Sequence, residues 1–88
     1  MNKPVIMIVD DDPNIAQLVR LYLEKDGYST VTCSRGDEAL EQFRQNPPGL
    51  MILDLMLPQL SGIEVCRRIR QKSDVPIIML TAMDDVSD

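Results

Sequence analysis

The 88-residue sequence contains no histidine, only two cysteines and very few aromatic side chains, which make up 3% of the chain. Cys33 and Cys66 lie far apart without a C-x-x-C spacing, and nothing around them suggests the disulfide framework of a small secreted domain. We therefore expect both to be free, buried thiols of a protein that resides in the reducing cytoplasm.

A concentrated basic surface is also missing, because the net charge is -5 and the nine basic residues are scattered. The one cluster, Arg67-Arg68-Ile69-Arg70, is interpreted as a solvated helix face. The composition thus argues against binding to nucleic acid or to an anionic membrane surface. No apolar run is long enough to span a membrane, and the N-terminus does not resemble a signal peptide.

Four short apolar runs are present, at residues 5–9, 28–33, 50–53 and 75–80. Each pair of consecutive runs leaves room for one helix, so the pattern predicts the order β-α-β-α-β-α-β. With 44% hydrophobic residues, the chain should bury a core as one domain.

The first predicted helix has a start, an apolar stripe and a stop. Asp12 is a favourable N-cap, Pro13 suits the first helical position, and Gly27 supplies the stop. The stripe has the spacing of one helix face and consists of Ile15, Leu18, Val19 and Tyr22.

The sequence signals for the ends of the other two helices are weaker. Ala39, Leu40 and Phe43 belong to the second, which Pro47-Pro48 closes. The third follows Ser61-Gly62-Ile63-Glu64, which matches a capping box.

Apolar strands that alternate with helices predict an α/β fold, with a doubly wound parallel sheet covered on both faces. The strand at 28–33 mixes polar and apolar residues, as expected of an edge strand, whereas the other three have the composition of central strands. Right-handed crossovers would bring the C-terminal ends of all strands to one rim, where ligands bind in such sheets.

Carboxylates follow two of these strands. Asp10, Asp11 and Asp12 come directly after the first strand, and Asp54 stands alone within an apolar run after the third. Because an unpaired buried carboxylate costs several kcal/mol, Asp54 should lie at the mouth of its strand. If the first and third strands are neighbours, Asp10, Asp11 and Asp54 converge, while Asp12 is better interpreted as the helix cap.

Three converging carboxylates require a cation, and hard oxygen ligands without histidine or thiolate favour Mg²⁺. An aspartate beside such an ion is a known nucleophile that forms acyl phosphates. Thr81, at the end of the fourth strand, would offer a hydroxyl to phosphoryl oxygens on the same rim.

Together these segments resemble the receiver domain of two-component response regulators. IVDDDP resembles the acidic pair of that family, LMILDLMLPQLSGIEVCRRIR resembles the segment around the phosphoacceptor, and VPIIMLTA resembles the fourth strand with its switch hydroxyl. The resemblance implies a flavodoxin-like fold in which Asp54 is the phosphoacceptor and Thr81 the switch residue. It further implies that Asp11, Asp54 and the Met56 carbonyl ligate Mg²⁺ directly, whereas Asp10 acts mainly through water.

The resemblance also implies a function in signal transduction. A sensor histidine kinase would donate a phosphoryl group to Asp54, and the module would not be a turnover enzyme in the ordinary sense. The motifs are similar to those of the transcription-factor branch of response regulators, whose members carry a winged-helix output domain.

The sequence departs from the family pattern at its C-terminal end. Residues 1–88 cover about four β/α units, without the fifth strand, the preceding lysine, the last helices or an output domain. We expect a fragment of a longer regulator, whose fourth strand becomes an edge that favours a homodimer or a swapped oligomer.

Two alternative functions remain open. The chain could be an interaction or dimerisation fragment that is incompetent for phosphorylation. Less favoured is a Mg²⁺-dependent aspartyl phosphohydrolase, since those enzymes usually place a second acid two residues after the nucleophile, where this sequence has Met56.

Overall fold

A computed structural model describes residues 3–80, in which strands and helices alternate in the predicted order. The elements are β1 (Val5–Val9), α1 (Pro13–Lys25), β2 (Ser29–Cys33), α2 (Gly36–Gln45), β3 (Leu50–Asp54), α3 (Gly62–Arg70) and β4 (Ile77–Leu80). None of the helices described between residues 3 and 80 has the length and apolar character needed to cross a membrane.

The four strands form one parallel sheet with the order β2-β1-β3-β4. This order confirms the predicted doubly wound topology, the adjacency of the first and third strands, and the edge position of β2. Within residues 3–80, β4 forms the other edge of the sheet. Val9 of β1 lies between Cys33 and Leu53, so the C-terminal ends of the three strands are level.

The core lies on both faces of the sheet. One cluster joins Met7 and Val9 to Phe43 of α2 and to Val65 and Ile69 of α3. The other packs α1 against the opposite face of β1 and β3, and its buried members are Ile6, Ile8, Ala16 and Ile52. Burial of both faces of β1 explains why its sequence is continuously apolar.

The helix α1 is confirmed, but its buried face differs from the predicted stripe. Ala16 is buried, and Val19 and Leu23 pack beside it on the sheet. By contrast, Ile15 and Tyr22 are 44% and 67% exposed. The small side chain of Ala16 lets the helix approach the sheet, and this places the bulkier residues on its outer surface.

The predicted boundaries of α1 are confirmed. The Asp12 side chain accepts a hydrogen bond from the Asn14 amide at 2.9 Å, and Pro13 occupies the first helical position. Gly27 has a φ of 93°, which a glycine adopts without the strain that a Cβ would cause.

The strand boundaries differ slightly from the predicted runs. β4 begins at Ile77 and not at residue 75, because Pro76 has no N–H to donate to a strand ladder. Its carbonyl still accepts a hydrogen bond from Met51 at 2.9 Å. β2 begins one residue later than predicted, and β3 extends through Asp54.

A tight turn connects β3 to α3. The Leu60 amide donates to the Pro58 carbonyl at 2.6 Å, and the intervening Gln59 has a φ of 67°. This three-residue turn holds a non-glycine residue in a sparsely populated region of backbone space.

Only half of the predicted capping box is formed at the start of α3. The Ser61 hydroxyl accepts from the Glu64 amide at 3.3 Å, as expected of an N-cap. The Glu64 carboxylate instead accepts from Arg67 and Arg68, which lie one turn further along the helix. These two ion pairs lower the pKa of Glu64, with the hydrogen bond from Arg68 as the largest cause.

The interpretation of residues 67–70 as one solvated helix face was wrong for Ile69, whereas the three arginines are exposed. Ile69 is fully buried. The Arg70 guanidinium donates to the Val75 carbonyl at 2.6 Å and to the Ser73 carbonyl at 3.3 Å. Arg70 is thus exposed and also ties the loop that leads into β4.

We expect Arg70→Ala to lower the free energy of unfolding by about 1–2 kcal/mol, because it removes charge-assisted hydrogen bonds to two loop carbonyls. Arg68→Ala is the matched control on the same helix, and its exposed ion pair should contribute less than about 0.5 kcal/mol. Urea denaturation measures both values. Equal losses in the two variants would contradict the structural role of Arg70.

Candidate functional site

Three carboxylates lie together at the C-terminal rim of the sheet. Asp10 and Asp11 follow β1, and Asp54 is the last residue of the neighbouring β3. Each offers one oxygen, and these oxygens all lie within 4.8 Å of one another. The convergence predicted from the strand order is therefore present.

Asp10 is the buried member of the three, with only 4% of its surface exposed. Its carboxylate accepts a hydrogen bond from the Asp12 amide at 2.9 Å, and its own amide donates to the Cys33 carbonyl at 3.0 Å. Burial raises the pKa of Asp10, the Asp12 hydrogen bond opposes this, and repulsion by Asp54 and Asp11 adds to the increase.

Asp11 and Asp54 are more accessible to solvent. Asp11 is exposed, and Asp54 is partly buried. One oxygen of the Asp54 carboxylate accepts from the Met56 amide at 3.0 Å. The Leu55 amide donates to the Leu80 carbonyl at 2.9 Å, which continues the sheet hydrogen bonding beyond Asp54 and fixes its backbone.

An open cleft of about 470 Å³ lies over the three carboxylates. Its remaining lining residues are Asp12, Ile15, Met56 and Leu80. Met56, whose carbonyl was predicted as a further metal ligand, thus borders the same cleft and is 66% exposed. Thr81, the predicted switch hydroxyl, lies outside the described residues.

The donor set suits a hard divalent cation. All three side chains offer carboxylate oxygens, and the five arginines that form ion pairs within residues 3–80 pair with other acids. Lys3 lies at the opposite end of β1, as predicted, where its ammonium stands 4.6 Å from the centre of the Tyr28 ring. Asp10, Asp11 and Asp54 could therefore hold Mg²⁺.

Two backbone amides at this rim were not foreseen from the sequence. The Asp12 and Met56 amides each donate to the aspartate two residues earlier, Asp10 and Asp54 respectively. An aspartate side chain often accepts a hydrogen bond from the backbone amide two residues later. The presence of Asp10 and Asp54 at the ends of their strands could therefore have predicted both contacts.

Cys33 lies next to the rim, and its thiol is buried. It is 3% exposed, and burial raises its pKa to about 11. The predicted free thiols are confirmed, although Cys66 is only partly buried.

The site lies within a segment that is similar to a known protein family. The family model described as the response regulator receiver domain matches residues 6–88. The match includes all three carboxylates as well as the turn between β3 and α3.

Curated relatives with similar sequences are transcription regulators. The chain is 48% identical over 89 residues to the alkaline phosphatase synthesis transcriptional regulatory protein PhoP of Bacillus subtilis. It is 46% identical over 83 residues to the DNA-binding response regulator MtrA of Mycolicibacterium smegmatis. These alignments include 100% and 94% of this chain but only 37% and 36% of the relatives, so the chain spans about a third of their length.

Solved structures of similar fold are receiver domains. The receiver domain of Francisella response regulator 1452 superposes with a TM-score of 0.88 at 33% identity, covering 96% of this chain and 70% of that one. The N-terminal domain of a response regulator receiver protein from Methanoculleus marisnigri JR1 gives 0.86 at 38% identity, covering 90% and 67%.

We expect Asp10→Asn to raise the free energy of unfolding of the metal-free protein by about 1 kcal/mol, a typical single-residue effect. Because the folded-state pKa of Asp10 is raised, the ionised carboxylate destabilises the parent protein at neutral pH. The difference in free energy of unfolding between Asp10→Asn and the parent should shrink as the pH falls through the raised pKa towards the ordinary aspartate value. The Asp10 carboxyl of the parent is then protonated and no longer repels its neighbours.

Urea denaturation between about pH 4 and pH 7, with a chelator present, measures this difference. Asp12→Asn is the matched control, since asparagine caps a helix as well as aspartate and Asp12 is exposed. A gain from Asp12→Asn as large as that from Asp10→Asn would refute the assignment of the repulsion to the buried carboxylate.

Proposed function

The chain belongs to the response regulator receiver domain family, and from this premise we propose that it accepts a phosphoryl group on Asp54. The observation that carries the proposal is the convergence of the Asp10, Asp11 and Asp54 oxygens within 4.8 Å at the mouth of an open cleft. The donor would be a phosphohistidine of a sensor histidine kinase.

The geometry of Asp54 supports its role as the nucleophile. One carboxylate oxygen accepts a hydrogen bond from the Met56 amide, and the other accepts none from residues 3–80, which leaves it available to attack the phosphorus atom. A P–O bond to Asp54 forms as the P–N bond to the donor histidine breaks, and the imidazole leaves with the bonding electrons. The product is an aspartyl phosphate, formed once per module without turnover.

Asp11 and Asp54 would ligate Mg²⁺ directly together with the Met56 carbonyl, and Asp10 would act mainly through water. When bound, the ion neutralises negative charge on the phosphoryl oxygens. The Asp12 amide holds the Asp10 carboxylate at the rim, so this carboxylate keeps its orientation before any ion arrives. Thr81 would contribute a hydroxyl to the phosphoryl group.

For the whole protein we propose a cytoplasmic transcription regulator. The named function of the relatives from Bacillus subtilis and Mycolicibacterium smegmatis supports this assignment. In such a protein residues 1–88 would supply the N-terminal portion of the receiver domain. A separate domain would bind DNA, and the acidic receiver portion would not, because its net charge is -5.

Incubation with a small-molecule phosphodonor and Mg²⁺ should add one phosphoryl group to the purified chain, as measured by intact mass. Asp54→Ala should abolish the gain, because it removes the nucleophile, and chelation of Mg²⁺ should do the same. Asp37→Ala is the matched control, since Asp37 is exposed and pairs with Arg35 away from the cleft. A gain that persists in Asp54→Ala would overturn the proposal.

We also propose that β4 mediates association between copies of the chain. Within residues 3–80 the outer edge of β4 pairs with no further strand, and the side chain of Ile78 in this strand is 51% exposed. Open backbone groups beside an exposed apolar side chain favour pairing with another edge.

Ile78→Lys should weaken this association by at least about tenfold, because a charge on an edge strand opposes pairing with a second strand. The matched control is Ile63→Lys, since Ile63 is 59% exposed and belongs to a helix and not to a strand. Sedimentation velocity over a range of concentrations measures the effect. A parent chain that stays monomeric at all concentrations would disprove the association.

A further inference from the structure

The backbone of Gly62 lies directly against the backbone of Asp54. Gly62 is buried as the first residue of α3, and its amide donates to the Leu55 carbonyl at 3.1 Å. A Cβ at this position would stand 2.1 Å from the Asp54 carbonyl oxygen and 2.9 Å from the Leu55 Cα. Both distances are far shorter than any allowed contact, and both atoms belong to the main chain, so neither can rotate away.

This contact lies immediately behind the candidate site. Asp54 supplies a carboxylate, and Leu55 connects it to Met56, whose amide donates to that carboxylate. A displacement of the Asp54 and Leu55 backbone would therefore move the carboxylate and the Met56 carbonyl together. The side chain of Gly62 itself, a hydrogen atom, reaches neither group.

We infer that Gly62 is a positioning residue for the Mg²⁺ site. Because α3 begins with a glycine, its first turn packs directly against the Asp54 and Leu55 peptides and holds them in place. The inference rests on the proposed function. It assigns to Gly62 a role beyond its place in the capping-box segment Ser61-Gly62-Ile63-Glu64.

The chain contains a matched control at the other end of the same strand. Gly49 precedes β3, and a Cβ there would stand 2.4 Å from the Cβ of Pro4. Alanine at either position therefore introduces a steric conflict at a terminus of β3, with main-chain atoms at Gly62 and with a proline ring atom at Gly49. Only the conflict at Gly62 lies beside the carboxylates, so a general loss of packing and a loss of positioning can be separated.

The test compares Mg²⁺ binding by the parent chain, Gly62→Ala, Gly49→Ala and Asp54→Asn, using amide chemical shifts in a titration with MgCl₂. We expect Gly62→Ala to raise the Kd for Mg²⁺ by about 10- to 100-fold, the range typical of substitutions just outside a ligand shell. Gly49→Ala should change the Kd by less than about twofold, even if it costs similar stability.

A second measurement needs no metal. In the metal-free protein, Gly62→Ala should shift the Met56 amide proton, because its hydrogen bond to Asp54 is disturbed. Gly49→Ala should leave that resonance in place. If Gly62→Ala is poorly folded at room temperature, trimethylamine N-oxide restores the compact state, and both measurements are then made for all variants in that solvent.

The outcomes separate the two proposals. Parent protein that binds Mg²⁺, together with unchanged Kd and Met56 shift in Gly62→Ala, would overturn the positioning role and leave the proposed function standing. Equal weakening by Gly49→Ala would also overturn it, since the effect would then be general destabilisation. Parent protein that binds Mg²⁺ no better than Asp54→Asn would overturn the proposed metal site and the inference with it.

Discussion

Repulsion between the carboxylates of Asp10, Asp11 and Asp54 is the constraint on which this structure depends. Side chains of like charge stay within 4.8 Å only if their backbones cannot move apart. The sheet supplies this restraint, because β1 is hydrogen-bonded on both sides and β3 lies directly beside it. Buried residues on both faces of β1 add to the rigidity. The stability of the core is thus what keeps an electrostatically unfavourable rim assembled and ready for a cation.

Most of the fold could be predicted because its signals are local and repeated. The apolar runs, Asp12 with Pro13, and Gly27 each specify an element or a boundary through short-range chemistry, and the structure contains them as predicted. The convergence of Asp10 and Asp54 followed from the strand order, since parallel strands that are neighbours end at the same rim. Periodicity and topology together were therefore sufficient for the placement of the carboxylates.

What could not be predicted depends on tertiary contacts. The apolar pattern of α1 permits two overlapping faces, and only the fit of Ala16 against the sheet selects the one that is buried. Arg70 had the sequence context of a surface charge, yet it reaches loop carbonyls whose position is set after the chain has folded. The positive φ of Gln59 likewise belongs to a turn closed by the main-chain hydrogen bond from Leu60 to Pro58, which no propensity of glutamine indicates. In each case the conformation depends on a contact with a residue distant in the sequence or with the main chain.

The parallel order β2-β1-β3-β4 also has a consequence for folding during synthesis. No two neighbouring strands can be joined by a hairpin, so every strand pair waits for a complete helical crossover to leave the ribosome. The central strand β1 emerges first, but the flank that faces β3 has no partner until Leu50–Asp54 is made. During that interval the apolar residues of β1 are exposed and can associate with other chains. The nascent chain is therefore prone to aggregation until β3 has been synthesised.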